Sequence, residues 1–120
     1  MTKRDSLATL SQIAEHARHA QELCASQTPA ELEADWKSSL ALERALEILG
    51  EAVKRLPAEL CAAYPAVPWR LVAGMRDRLS HGYDDVDHEI LWNAVHQDLP
   101  NLLKTVEQMM QDLTAGGPRG

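Results

Sequence analysis

The sequence predicts an all-α protein, a helical bundle of four or five helices. Three observations carry this. Apolar residues recur at helical spacing in three long segments, helix-capping residues stand where those segments begin, and no stretch alternates like a strand or offers a hairpin turn. A chain of 120 residues fills one hydrophobic core, and no linker, repeat or low-complexity tract divides it, so residues 1–115 are expected to form a single domain. The short glycine-containing tail, 116–120, is expected to be disordered.

The first helix is expected from about Asp5 to Ala25, with Asp5 or Ser6 as N-cap. Its stripe is Leu10, Ile13, Ala14, Ala17 and Cys24, with one polar interruption at Gln21. Thr28, Pro29 and Glu31 then form a helix start. The threonine caps, the proline occupies the first helical position, where an N–H has no partner anyway, and the glutamate three residues on reaches back as a capping box. The helical region opened there is expected to run through Trp36 and along Leu42, Ala45, Leu46, Leu49, Ala52, Val53 and Leu56 until Pro57 stops it. Gly50 inside it costs about 1 kcal/mol relative to alanine, which points to another backbone passing close by.

A short helix is expected around 58–63, then a turn through Pro65 and Pro68, then a helix from about Trp69 to Ser80 with Gly82 as a left-handed cap beyond it. In the last segment Asp87 is a natural N-cap. Val95, Leu99, Leu102, Val106, Met109 and Leu113 follow at alternating spacings of four and three, a helix-packing seam. Pro100 is expected to kink or interrupt that helix.

Hydrophobic residues make up 45% and charged residues 25%, the balance of a soluble globular protein. No apolar run approaches the roughly 18 residues of a spanning helix, and the N-terminal MTKRDSLATL lacks the apolar stretch of a signal peptide. A cytoplasmic location with no membrane contact is therefore expected. A net charge of −6 argues against broad nucleic-acid binding but leaves room for a local basic site. Cys24 and Cys61 lack ligand spacing and are expected to be reduced, partly buried thiols.

His16 and His19 look like an i, i+3 metal pair, yet the helical wheel places His19 opposite the apolar stripe, facing solvent. Asp84, Asp85, Asp87, His88 and Glu89 are acidic groups before and within a first helical turn, where the helix dipole favours them. No metal is expected at either place.

The densest chemistry is RDRLSHGY, Arg76 to Tyr83. On one regular helix residues four apart lie about 40° from each other and residues five apart about 140°, so Asp77 can touch His81 while Arg76 diverges from it. Joint action of Arg76 and His81 therefore needs a helix end near His81, or a second subunit across a two-fold axis. Such a group suits RNA cleavage by the RNA's own 2'-hydroxyl. A histidine can move the protons, and an arginine can grip the phosphate and stabilise its developing charge. The same residues also suit a plain helix end, with Arg76 and Arg78 solvated, Asp77 in a local ion pair and His81 near the C-terminal dipole.

Three stretches in this order, LEILGEAVKRLP (46–57), YPAVPWRLVAGMRDRLSHGYDDVD (64–87) and EILWNAVHQDLP (89–100), resemble the HepT-like proteins of the HEPN superfamily. Arg76, His81 and Tyr83 match that family's Arg-x4-His-x-Tyr hallmark without a gap, and Asp77 supplies the polar residue after the arginine. The resemblance implies a HEPN-type helical bundle and a homodimer. It also implies a metal-independent endoribonuclease site built from the Arg76 and His81 of both subunits, with Asp77 in support. Further RNA contacts would come from Arg70, Arg78 and Ser80. The activity implied is that of a toxin in a type VII-like toxin–antitoxin pair. Its partner would be an MntA-like minimal nucleotidyltransferase antitoxin that uses ATP to AMPylate Tyr83, while the chain itself needs no cofactor. An added nucleotide monophosphate would bring bulk and negative charge to where RNA phosphate must bind. The alternative is a non-catalytic helical dimer that serves as binding partner of the nucleotidyltransferase.

Overall fold

A computed structural model describes residues 1–75 and 87–116. Among these are six α-helices and no strand: α1 (Lys3–Ala25), α2 (Pro29–Ala34), α3 (Trp36–Lys54), α4 (Ala58–Ala62), α5 (Trp69–Ala73) and α6 (His88–Thr114). The all-α class stands as the sequence predicts. Of the expected disordered tail, residues 117–120 lie outside the described residues.

The long helices α1, α3 and α6 form the body, with α1 packed along both of the others. The stripe of α1 is Leu10, Ile13, Ala14, Ala17, Ala20 and Cys24, so the polar interruption at Gln21 disappears because Ala20 carries the seam instead. From α3 come Leu42, Leu46, Leu49, Ala52 and Val53, and from α6 Leu91, Val95, Leu99, Leu102, Val106, Met109 and Leu113, the predicted seam complete. Leu10, Leu46 and Leu99 are each 0% exposed. Burying side chains of this size stabilises the fold by about 1.5–3 kcal/mol apiece.

Four expectations are corrected. The first N-cap is Thr2, not Asp5 or Ser6: its hydroxyl accepts from the Asp5 N–H while the Asp5 carboxylate accepts from the Thr2 N–H, so Asp5 is the far partner of a capping box. The single helix expected from Pro29 onward is two. Asp35 is extended (φ −103°, ψ 90°) and its carboxylate caps α3 by accepting from Ser38, which rewards a break more than continuation. The helix beginning at Trp69 does not run on unbroken, because Gly74 caps it and donates its N–H to the Arg70 carbonyl. Of the kink or interruption expected at Pro100, the interruption does not occur, because α6 runs through it. The proline sits on the exposed side, where the carbonyl left without an N–H partner by the ring can meet water.

The capping box at Thr28 and Glu31 forms as predicted, with Pro29 at the first helical position, and Asp87 caps α6 by accepting from the N–H groups of Glu89 and Ile90. Gly50 also behaves as expected. A Cβ there would lie 3.0 Å from the Ala73 carbonyl oxygen, so the absent side chain is what lets α5 cross α3 at this distance.

Candidate functional site

The motif residues Arg76, Asp77, Arg78, Ser80, His81 and Tyr83, with Gly82, lie outside the described residues. Of the sequence-predicted site residues only Arg70 is described, on α5 and exposed. What the fold does define is the pair of anchors on either side, and both are on α3.

The upstream anchor is the α5 crossing. Ala73 rests on Gly50, and Val72 and Met75 are buried at 2% and 0% exposure. The downstream anchor is a hydrogen bond of 2.5 Å between Ser39 Oγ on α3 and His88 Nε2 in the first turn of α6, formed across 49 residues of sequence. Ser39 is itself buried, so this contact holds the α6 start against the α3 start from within the packing. Sequence reasoning missed this pairing: Ser39 belongs to no motif, His88 reads only with the acidic groups around the α6 start, and no local pattern couples the two.

Around that second anchor the α2–α3 corner is stitched by polar bonds. Gln27 Nε2 donates to Asp35 Oδ2, Ser38 donates to the same carboxylate from backbone and hydroxyl, and the Trp92 indole N–H of α6 donates to the Gln27 carbonyl. These donors, Gln27 foremost and then Ser38, hold the Asp35 carboxyl at about 2, well below its ordinary range. Asp35 is therefore a fixed anion at neutral pH, committed to structure.

Of the other described histidines, His96 stacks on Trp92 of its own helix with ring centroids 3.8 Å apart, and two meet elsewhere. His16 and His19 meet edge to face with ring centroids 5.5 Å apart, and His16 Nδ1 bonds to the Gln12 carbonyl. His19 is exposed, as the helical wheel predicts, but the wheel could not show that α3 lies alongside. The two imidazoles line a groove of about 590 Å3 between α1 and α3, with Leu23, Ala41 and Ile48 as apolar lining and Glu22 and Arg44 as its charged members. Among the described residues no three of His, Cys, Asp and Glu are placed to hold a metal ion together.

Neither thiol is activated. Burial raises Cys24 to about 11, and it raises the half-buried Cys61 as well. Tyr64 is not a nucleophile either. Burial and the hydroxyl's donation to Asp112 Oδ2 at 2.6 Å push it up to about 12. Among the described residues no helix is long and apolar enough to cross a membrane.

Comparison with known proteins assigns the chain to a family. A candidate RNase of Methanocaldococcus jannaschii is 37% identical over 113 residues, covering 94% of this chain and 93% of that protein. A second candidate RNase of the same organism is 36% identical over 107 residues, 89% of this chain and 98% of its own length. "Probable ribonuclease HepT" of Thermococcus cleftensis is 44% identical over 75 residues, 62% of this chain and 68% of that protein. No solved structure matches. The family described as Ribonuclease HepT-like matches residues 13–109, a span that includes the whole of Arg76–Tyr83 and both α3 anchors, and the chain belongs to that family.

Proposed function

We propose that this protein is a metal-independent endoribonuclease toxin that cleaves RNA through Arg76 and His81. The observation that carries this reading is the family match across residues 13–109 in a chain that has Arg76, His81 and Tyr83 at the hallmark spacing. His81 takes the proton from the 2'-hydroxyl or returns one to the leaving oxygen, a task suited to a group that titrates near neutrality. Arg76 binds the scissile phosphate with paired N–H donors and stabilises the charge that develops on it. Asp77, four residues before His81, orients the imidazole if that turn is helical. Because Arg76 and His81 diverge on a regular helix, the working cleft is composite, with each subunit of a homodimer contributing both residues.

Control falls to Tyr83. An MntA-like nucleotidyltransferase encoded as its antitoxin transfers AMP from ATP to Tyr83: the phenolic oxygen loses its proton and bonds to the α-phosphorus, pyrophosphate leaves, and the added phosphate repels RNA from the cleft. Arg70, Arg78 and Ser80 extend the RNA contact, and the protein works in the cytoplasm.

The test is expression of wild type, Arg76→Ala and His81→Ala, scored for growth arrest and RNA decay, together with purified protein on single-stranded RNA in chelator. Wild type is expected to cut RNA and to spare a strand whose 2'-hydroxyl at the cleavage position is removed. A His81→Ala protein that cuts as fast as wild type refutes the site. Mass spectrometry of Tyr83 after incubation with the partner and ATP tests the switch, since an unmodified tyrosine rules it out.

A further inference from the structure

We propose that the outer face of α3, from Trp36 past Lys37 to Arg44 and into the groove against α1, is a track for single-stranded RNA. The identity of the strand rests on the ribonuclease reading; the character of the surface rests on the fold. Trp36 is 66% exposed and Leu40 is 56% exposed, so the α3 start presents large apolar side chains that the rest of the described chain leaves uncovered. Lys37 Nζ lies 5.6 Å from the centroid of the Trp36 ring. An exposed indole with a cation beside it offers a base a stacking face and its phosphate a counter-charge, the pairing that binds single strands without sequence preference.

The track continues along the helix. Arg44 is seven residues beyond Lys37, which puts it about 10 Å along the axis and within about 20° of the same side, so phosphates of one strand meet both cations. Arg44 pairs with Glu47 at 3.0 Å, but its side chain is 66% exposed. The half-buried Glu47 takes only Nη1 of the guanidinium, which leaves its other N–H donors for a phosphate. Beyond Arg44 the groove has an apolar lining at Ala41 and Ile48 and the His16 and His19 rings on its α1 side, room and surface for a base. Glu22 on the α1 side repels phosphate, which keeps the backbone of the strand on the α3 side and leaves the carboxylate to accept from a base amino group. A second protein copy fits this face less well, because it would have to cover Lys37, a residue type depleted at protein–protein interfaces.

The test is binding of a short 2'-O-methylated single-stranded RNA, which cannot be cleaved through its 2' position, by fluorescence anisotropy across a salt series. The proteins are wild type, Trp36→Ala, Trp36→Phe and the double variant Lys37→Gln with Arg44→Gln, each first shown folded by circular dichroism. Trp36→Ala is expected to weaken binding about tenfold or more, while Trp36→Phe, which keeps a stacking face, stays within about threefold of wild type. The double variant is expected to flatten the slope of log K against log salt by about 0.7 per lost phosphate contact. Equal binding by wild type and Trp36→Ala overturns the track, as does a wild type that fails to bind at all. So does a Trp36→Ala protein that sediments as a monomer where wild type is a dimer and binds RNA unchanged, which makes this face an interface between copies. Cleavage of unmodified RNA is measured separately. Trp36-dependent binding without cleavage refutes the nuclease reading and leaves the track standing.

Discussion

Replacing Gly50 by alanine is expected to lower stability by about 1 kcal/mol, although alanine is the better helix former. The added Cβ would stand 3.0 Å from the Ala73 carbonyl oxygen and 3.7 Å from the Val72 carbonyl oxygen. Both are backbone atoms, and α5 has little freedom to retreat. Its own Val72 and, just beyond it, Met75 are buried, Gly74 is bonded to the Arg70 carbonyl, and the Trp69 indole N–H donates to the Tyr64 carbonyl. Overpacking against a fixed neighbour costs about 1–3 kcal/mol. Against a middle value of about 2, the intrinsic helix gain of about 1 kcal/mol leaves the variant about 1 kcal/mol less stable. Urea unfolding at one fixed protein concentration should show a lower midpoint with an unchanged slope, and Tm should fall by about 4 °C. Gly50→Val adds two more methyl groups at the same spot and should lose about 3 kcal/mol. An alanine variant more stable than wild type refutes the reasoning, because it requires α5 to stand clear of α3.

Three further outcomes follow from the same geometry. With Asp35 held at about 2 in the fold against an ordinary 3.8, its contribution is fully present above pH 4 and is lost as pH falls from about 4 to about 2; the Tm difference between wild type and Asp35→Asn should shrink across that window, and a constant difference contradicts the assignment. Tyr64 is raised from 10 to about 12, so its contribution is complete below pH 10 and is lost between about 10 and 12. An absorbance titration of wild type against Tyr64→Phe should show this tyrosine ionising late, and ionisation near 10 breaks the Tyr64–Asp112 assignment. Cys24, 1% exposed and raised to about 11, should resist a thiol reagent until the protein is unfolded, whereas Cys61 should react slowly in the native state. Equal native rates for the two thiols would show that the α1 packing is wrong.

Features that depend on neighbours within a turn or two were legible in the sequence. The Thr28–Glu31 box, the Asp87 cap and the α6 seam each place their partners two to four residues apart, so the pattern contains the interaction. The same signal at Thr2 and Asp5 went unread because Asp5 passes for a cap itself. Asp35 was hidden for a similar reason: inside an apparently continuous helical pattern, only its side chain's competition for the Ser38 N–H reveals the break. Gly50 was legible as a close approach but not as an approach by α5, since spacing names no partner. The Ser39–His88 bond and the groove between α1 and α3 left no trace, because each joins residues that only tertiary packing brings together. For the site the balance reverses. Arg76, His81 and Tyr83 are contiguous enough to be read as chemistry, whereas the anchors that frame them come from the fold.

The double use of α1 has a consequence for how the chain reaches its native state. As synthesis proceeds, α1 meets α3 after only the Gln27–Asp35 corner has been made, so an antiparallel helical hairpin can form early from nearby partners. The side of α1 that receives α6 has no partner until the α6 seam, from Leu91 to Leu113, has left the ribosome. Until then a sticky apolar strip faces outward, available to chaperones and proteases. An incomplete chain thus carries its own mark for disposal, and a chain with α6 in place has erased it.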